Sequence, residues 1–150
     1  MKANLHNIIS VCILFCMLYS CQTAMTEDNS FNERIIIIEN NPQQYISRID
    51  TLKTVDISNK EDATEFLLSS LAQNYINEDS YPSKELLQKA IMIFRKENLP
   101  QQQLEALFLL AHIYKKDKNL DNEIRTIENA IDIADKEKDN EWQFHLYSYL

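Results

Sequence analysis

His112 and His145 are the first side chains to question for chemistry, because imidazole serves as acid, base and metal ligand near neutral pH. A zinc site of the His-Glu-x-x-His kind needs two of them one helical turn apart, and these lie far apart in the chain. Asp132, Asp135 and Asp139 fall at i, i+3 and i+7, a spacing that puts three carboxylates on one helix face, where oxygens could grip a cation. Lys136 and Lys138 lie among them, so the better reading is a solvated outer face. All three cysteines, Cys12, Cys16 and Cys21, sit in or just after an apolar N-terminal stretch, leaving the rest without a thiol, a disulfide or a zinc framework. The chain has no glycine, where average usage would supply roughly ten. A phosphate-cradling loop, a dinucleotide fingerprint and the tight turn beneath a nucleophilic serine all need glycine. No catalytic, cofactor-binding or metal-ligating residue is therefore expected, and the chain is read as a non-enzyme. A net charge of −8 and a pI near 4.8 also disfavour nucleic acid, whose phosphates need clustered Lys and Arg.

The elements that carry these residues are helices. From Leu104 to Ala134 the residues Leu107, Leu110, Ala111 and Tyr114, then Leu120, Ile124, Ile127, Ala130, Ile131 and Ala134, recur at helical spacing on either side of a polar turn. Leu68, Leu71, Ala72 and Tyr75 repeat the first of these helices 39 residues earlier, and Lys89-Ala90 repeats Asn129-Ala130. Each helix has one apolar face and needs a partner to cover it. Asn59 or Asp62 can cap the upstream helix, and Asp139-Asn140 a further one that carries Trp142, Leu146, Tyr149 and Leu150. Between the hairpins stands Asn98-Leu99-Pro100, while Pro82 lies beside a helix start. Earlier still, Phe31, Arg34, Ile35 and Ile38 share a helical face, although the β-branched run Ile35 to Ile38 would also suit a strand. Asn40-Asn41-Pro42 can end that helix and open a shorter one bearing Tyr45, Ile46, Ile49 and Leu52. No later segment alternates in a way that would give a strand a partner, so an all-α fold is expected. The last predicted helix presents an apolar edge, which implies that more chain belongs after Leu150.

Two resemblances refine this outline. Lys2, then Ile8 to Leu18, then Leu18-Tyr19-Ser20-Cys21 reads as a secretory signal peptide whose break resembles the bacterial lipobox. By that resemblance residues 1–20 are a signal peptide, Cys21 is the lipidated N-terminus, and 21–30 form a flexible polar leash. The protein is then held at a membrane, on the periplasmic or outer-membrane face. The helical units, about 31–55, 60–98, 101–138 and an incomplete 141–150, resemble tetratricopeptide repeats. In the second unit Leu107, Leu110, Ala111 and Tyr114 take the first-helix places, Leu120 the turn place, and Ile127 and Ala130 the second-helix places. Glu123 departs from the small residue the family prefers, and the period lies nearer 40 than the usual value of about 34. The resemblance implies a right-handed α-solenoid over 31–150 with longer helices, in which Tyr75 and Tyr114 pack into the hairpins and Ala72 and Ala111 mark close crossings. The lipobox together with degenerate repeats is similar to lipid-anchored tetratricopeptide proteins of Gram-negative gut bacteria, whose repeats often continue into a transmembrane helix and a regulatory part.

What the resemblance implies for function is an interaction scaffold. Its groove positions fall on Phe66, Ser69, Gln73, Ile76 and Asn77 in the first unit and on Glu105, Phe108, His112, Lys115 and Lys116 in the second. Phe108 would give apolar contact, His112 a pH-sensitive hydrogen bond, and Lys115 and Lys116 a match for acidic groups. A protein or peptide segment is the expected partner. The alternative is a glycan- or nutrient-binding lipoprotein of an outer-membrane uptake system, but those proteins are longer and place their sites on glycine- and aromatic-rich loops.

Overall fold

The computed structural model describes residues 30–43, 46, 56–78 and 80–150. The signal peptide, Cys21, all of the leash but Ser30, and Tyr45, Ile49 and Leu52 lie outside them. By compactness the chain divides after Arg34, and the two units are taken separately. Of the first, only residues 30–34 are described, and they are helical. That helix, α1 (30–40), runs on into the second unit, so it begins at Ser30, the last residue assigned to the leash. Its exposure pattern rules out a strand: Ile38 is buried while Ile36 and Ile37 both face solvent, which a period of two cannot produce.

Gln43 and Ile46 are also helical, and the rest of the second unit, among the described residues, holds five longer helices and no strand: α2 (Lys60–Ile76), α3 (Lys84–Glu97), α4 (Pro100–Lys116), α5 (Leu120–Glu137) and α6 (Asn140–Tyr149). Each starts where the sequence supplies a partner for its orphan N–H groups. Asn59 accepts from the Asp62 N–H (2.8 Å), Ser83 from Leu86 (3.3 Å), Asn119 from Asn122 (3.3 Å) and Asp139 from Trp142 (3.0 Å). Such caps are worth about 1 kcal/mol each. The exception is α4, which opens on Pro100, whose missing N–H costs nothing in the first turn.

The ends are closed without glycine. Asn98, Lys118 and Lys138 all take the left-handed conformation, at φ 55, 55 and 57°. In each case the next N–H bonds back five residues, Leu99 to Phe94, Asn119 to Tyr114 and Asp139 to Ala134, at 2.9 Å every time. This is the closure that glycine usually serves, here carried by side chains that pay a local steric cost of about 1 kcal/mol. The three residues stand twenty apart, one per helix end, so the helix-plus-turn repeat is written into the backbone as well as the sequence.

Every helix from α2 onward packs on its chain neighbour, and α2 also packs on α4, the next but one. The first helices α2, α4 and α6 begin at Lys60, Pro100 and Asn140, forty residues apart each time. Between them the core is closed by Leu67, Leu87, Phe94, Leu104 and Ile127, all fully buried, each contributing about 1.5–3 kcal/mol. Ala72 and Ala111 are also fully buried. Tyr114 is buried and accepts from Gln88 on α3, the second helix of the preceding hairpin (3.0 Å). Tyr75 is not buried: it is half exposed and donates to Glu39 of α1 (3.1 Å). Leu120, expected on the inner stripe, is exposed at the first position of α5. Ile124, one turn on, is exposed as well, so the buried stripe of α5 begins at Thr126 and Ile127.

Candidate functional site

Side chains with recognition chemistry collect where α4 meets α6. Phe108 and His112, one turn apart on α4, are partly buried, and their rings meet edge to face at 4.7 Å. From α6, Trp142, His145 and Tyr149 close on Phe108 at 5.7, 5.9 and 5.4 Å. Tyr149 also lies 5.1 Å from His112. These are the separations at which ring quadrupoles attract, adding about 0.5–1.5 kcal/mol per pair beyond burial. Lys115, a turn beyond His112, sets its ammonium 4.5 Å from the Tyr149 ring centre, a cation–π contact.

Hydrogen bonding then fixes the cluster to α5. The Tyr149 hydroxyl donates to Glu123 Oε1 (3.1 Å). Burial, then that bond and the Glu123 charge, hold its phenol above the ordinary value, so it stays a donor. His112 moves the other way: burial first, then Lys115, disfavour the imidazolium, with Glu123 opposing. A neutral imidazole beside a fixed ammonium offers both a donor and an acceptor to an incoming group.

The other end of the α4 face is acidic. Burial, and then the nearby Glu39, push the Glu105 carboxyl up to about 7. Tyr75 belongs to the same corner, its phenol raised to about 12 by burial and by Glu39. One helix thus carries a carboxyl that holds its proton near neutrality and, two turns on, an imidazole that gives its proton up.

The sequence-predicted groove residues are distributed unevenly over this surface. Phe108, His112 and Lys115 come together in the ring cluster. Lys116 is exposed and turns instead to the Tyr81 ring, 4.9 Å away. Glu105 sits partly buried at the acidic end. In the first unit Ile76 and Asn77 are exposed and Gln73 is partly buried, whereas Phe66 and Ser69 are buried. The Ser69 hydroxyl and Gln102 Oε1 are enclosed without a hydrogen-bond partner among the described residues. Trp142, His145, Tyr149 and Glu123 were missed by the groove assignment. A signal for one of them existed, since His145 stands one forty-residue period beyond Glu105.

Among the described residues, no group of three or more His, Cys, Asp and Glu could hold a metal ion. Of the three carboxylates considered for a cation, Asp135 accepts from Gln143 (2.9 Å) and Asp139 caps α6 while accepting from Gln101 (2.8 Å). No helix among these residues is long and apolar enough to cross a membrane. A separate open cleft of about 370 Å³ lies where α3 turns into α4 beside the end of α5, lined by Arg95, Asn98, Gln103 and Lys136 among others. It contains none of the predicted groove residues. No protein-family model, curated protein or solved structure matches the chain.

Proposed function

We infer that the chain is a membrane-anchored scaffold of the tetratricopeptide type, which holds a protein or peptide segment against the shared face of its first helices. The observation that carries this reading is the ring cluster, in which α4 and α6 pool Phe108, His112, Lys115, Trp142, His145 and Tyr149 on one face. Aromatic rings backed by a lysine are the composition that anchors protein contacts, because large rigid rings give contact area at little entropic cost. Lys115 and Lys116 add positive charge at one end of a chain that is otherwise acidic, which favours a segment with acidic side chains. The forty-residue recurrence of the first helices, and the packing of α2 on α4, support the solenoid assignment.

The anchor rests on Leu18-Tyr19-Ser20-Cys21. Metabolic labelling with a palmitate analogue should tag the wild type and spare Cys21→Ser, and equal labelling of the two would remove the anchor. For the face itself, affinity capture from membranes should be run with the wild type and with Phe108→Ala/Lys115→Ala. Specific partners should be lost from the double variant. Retention of all of them would place the binding surface elsewhere.

A further inference from the structure

The turns between α3 and α4 and between α5 and α6 lie one period apart and close alike, on left-handed Asn98 and Lys138, with the next N–H bonded back to Phe94 and Ala134. Their side chains differ in charge. At the later turn two carboxylates of the chain engage the donors around them: Asp135 accepts from the Gln143 amide (2.9 Å), and Asp139 accepts from the Gln101 amide (2.8 Å) while capping α6. At the earlier turn the places of Asp135 and Asp139 are taken by Arg95 and Leu99, whereas the place of Gln143 is still a glutamine, Gln103. The Gln103 side chain is only 7% exposed, lines the open cleft of about 370 Å³, and meets no acceptor among the described residues. Arg95 of α3 and Lys136 of α5 line the same cleft. Lys136 has the Glu137 carboxylate 4.0 Å away, while the Arg95 guanidinium meets no carboxylate among the described residues. A donor pair that one period later is matched by the chain's own carboxylate is here turned toward a cleft.

We propose that this cleft binds a small organic acid, its carboxylate taken by Arg95 and the Gln103 amide. A guanidinium offers a carboxylate two parallel N–H bonds, and the amide adds a third donor, as Gln143 does for Asp135. An enclosed amide without an acceptor is costly, so a ligand oxygen that meets it gains more than one that meets only exposed groups. Buried Leu99 and half-buried Ile133 also line the cleft and give the carbon chain of such an acid an apolar wall. The size suits it, since small-molecule sites run from about 300 to 1,000 Å³. No residue of the cleft belongs to the ring cluster, and the proposal does not depend on that face.

The probe is butyrate, titrated at constant ionic strength into the ¹⁵N-labelled full chain and followed at the Gln103 side-chain amide by NMR. A saturable shift is expected. Arg95→Asp, which recreates at this turn the carboxylate–glutamine pair of Asp135 and Gln143, should weaken binding about tenfold or more. Arg95→Gln, which removes the charge without adding one, should weaken it too, and since Arg95 is exposed both variants should keep their helical circular dichroism. Butyramide, the same shape without the charge, should give no saturable shift. Absence of a saturable butyrate shift, equal affinity in both variants, or an equal response to butyramide would overturn the proposal. So would tighter binding of inorganic phosphate, which would make this a general anion site, or of a blocked Ser-Glu-Ser peptide, which would assign the carboxylate to a polypeptide.

Discussion

The hairpins α2–α3 and α4–α5 occupy the same forty residues each and spend them differently. In the first, seven residues form the turn and the second helix has 14; in the second, three form the turn and that helix has 18. Four residues have moved from helix to loop with no change of period. The local cause is visible: Tyr81-Pro82 holds the chain extended before Ser83 can cap α3, whereas Asn119 caps α5 directly after left-handed Lys118. The longer turn is also where Tyr81 reaches out to Lys116. The packed register is held by the first helices, and the turn between them is free to vary. Recognition chemistry differs as well, since α4 carries the ring cluster and α2 presents Gln73, Ile76 and Asn77 with its hydroxyl at Ser69 buried.

The largest test of that equivalence is overpacking at the two matched alanines. Ala72→Leu and Ala111→Leu should each lose about 1–3 kcal/mol in chemical denaturation, because both side chains are fully enclosed. A loss at Ala111 with none at Ala72 would mean that the first hairpin is not packed like the second.

The two ends of α4 should then separate by pH. Glu105, with its folded pKa raised to about 7 from about 4.5, binds its proton more tightly in the native state. Stability from this group therefore falls as pH rises from about 4.5 to 7 and is level above. Glu105→Gln should abolish that slope and raise stability at pH 8 by about 1–3 kcal/mol. His112 has the opposite sign. Its folded pKa is lowered, so the unfolded chain takes the proton first and stability falls as pH drops below the ordinary imidazole value. His112→Gln should flatten the acidic side of the profile while leaving the Glu105 slope intact. Melting curves from pH 4 to 8 on the two variants check both signs.

Much of the architecture was open to reading in the chain itself. Asn59, one of the two candidate caps beside Asp62, and Asp139 both cap their helices, and the near-forty repeat of Leu, Ala and Tyr marks the first helices. The exposures of Tyr75 and Leu120 were not readable, because an internal repeat treats matched positions as equivalent and cannot see that Glu39 of α1 draws the Tyr75 hydroxyl outward. The ring cluster was half legible. Phe108, His112 and Lys115 lie at turn spacing on one helix, but their meeting with Trp142, His145 and Tyr149 depends on how α6 is set against α4, and apolar periodicity alone only groups Trp142 and Tyr149 with Leu146 on one helix. The carboxyl pair of Glu39 and Glu105 is a tertiary meeting with no local signature.

The smallest expected effect lies in the turns. Lys118→Ala should change stability by less than about 0.5 kcal/mol, whereas Lys118→Gly should gain about 0.5–1 kcal/mol by relieving the left-handed backbone. No described residue of the first hairpin's turn is left-handed, so glycine at Ser80 should bring no such gain. An equal gain at both turns would show that the comparison of the two connections is misdrawn.

The recognition claim is tested most directly by a photo-crosslinking residue placed at His145 in the ring cluster and, separately, at Met92, which is exposed on α3. With the full chain in native membranes, the account predicts a discrete crosslinked partner from position 145 that is suppressed by Phe108→Ala/Lys115→Ala, and none of that species from position 92. The same adduct from both positions, or from Met92 alone, would contradict it.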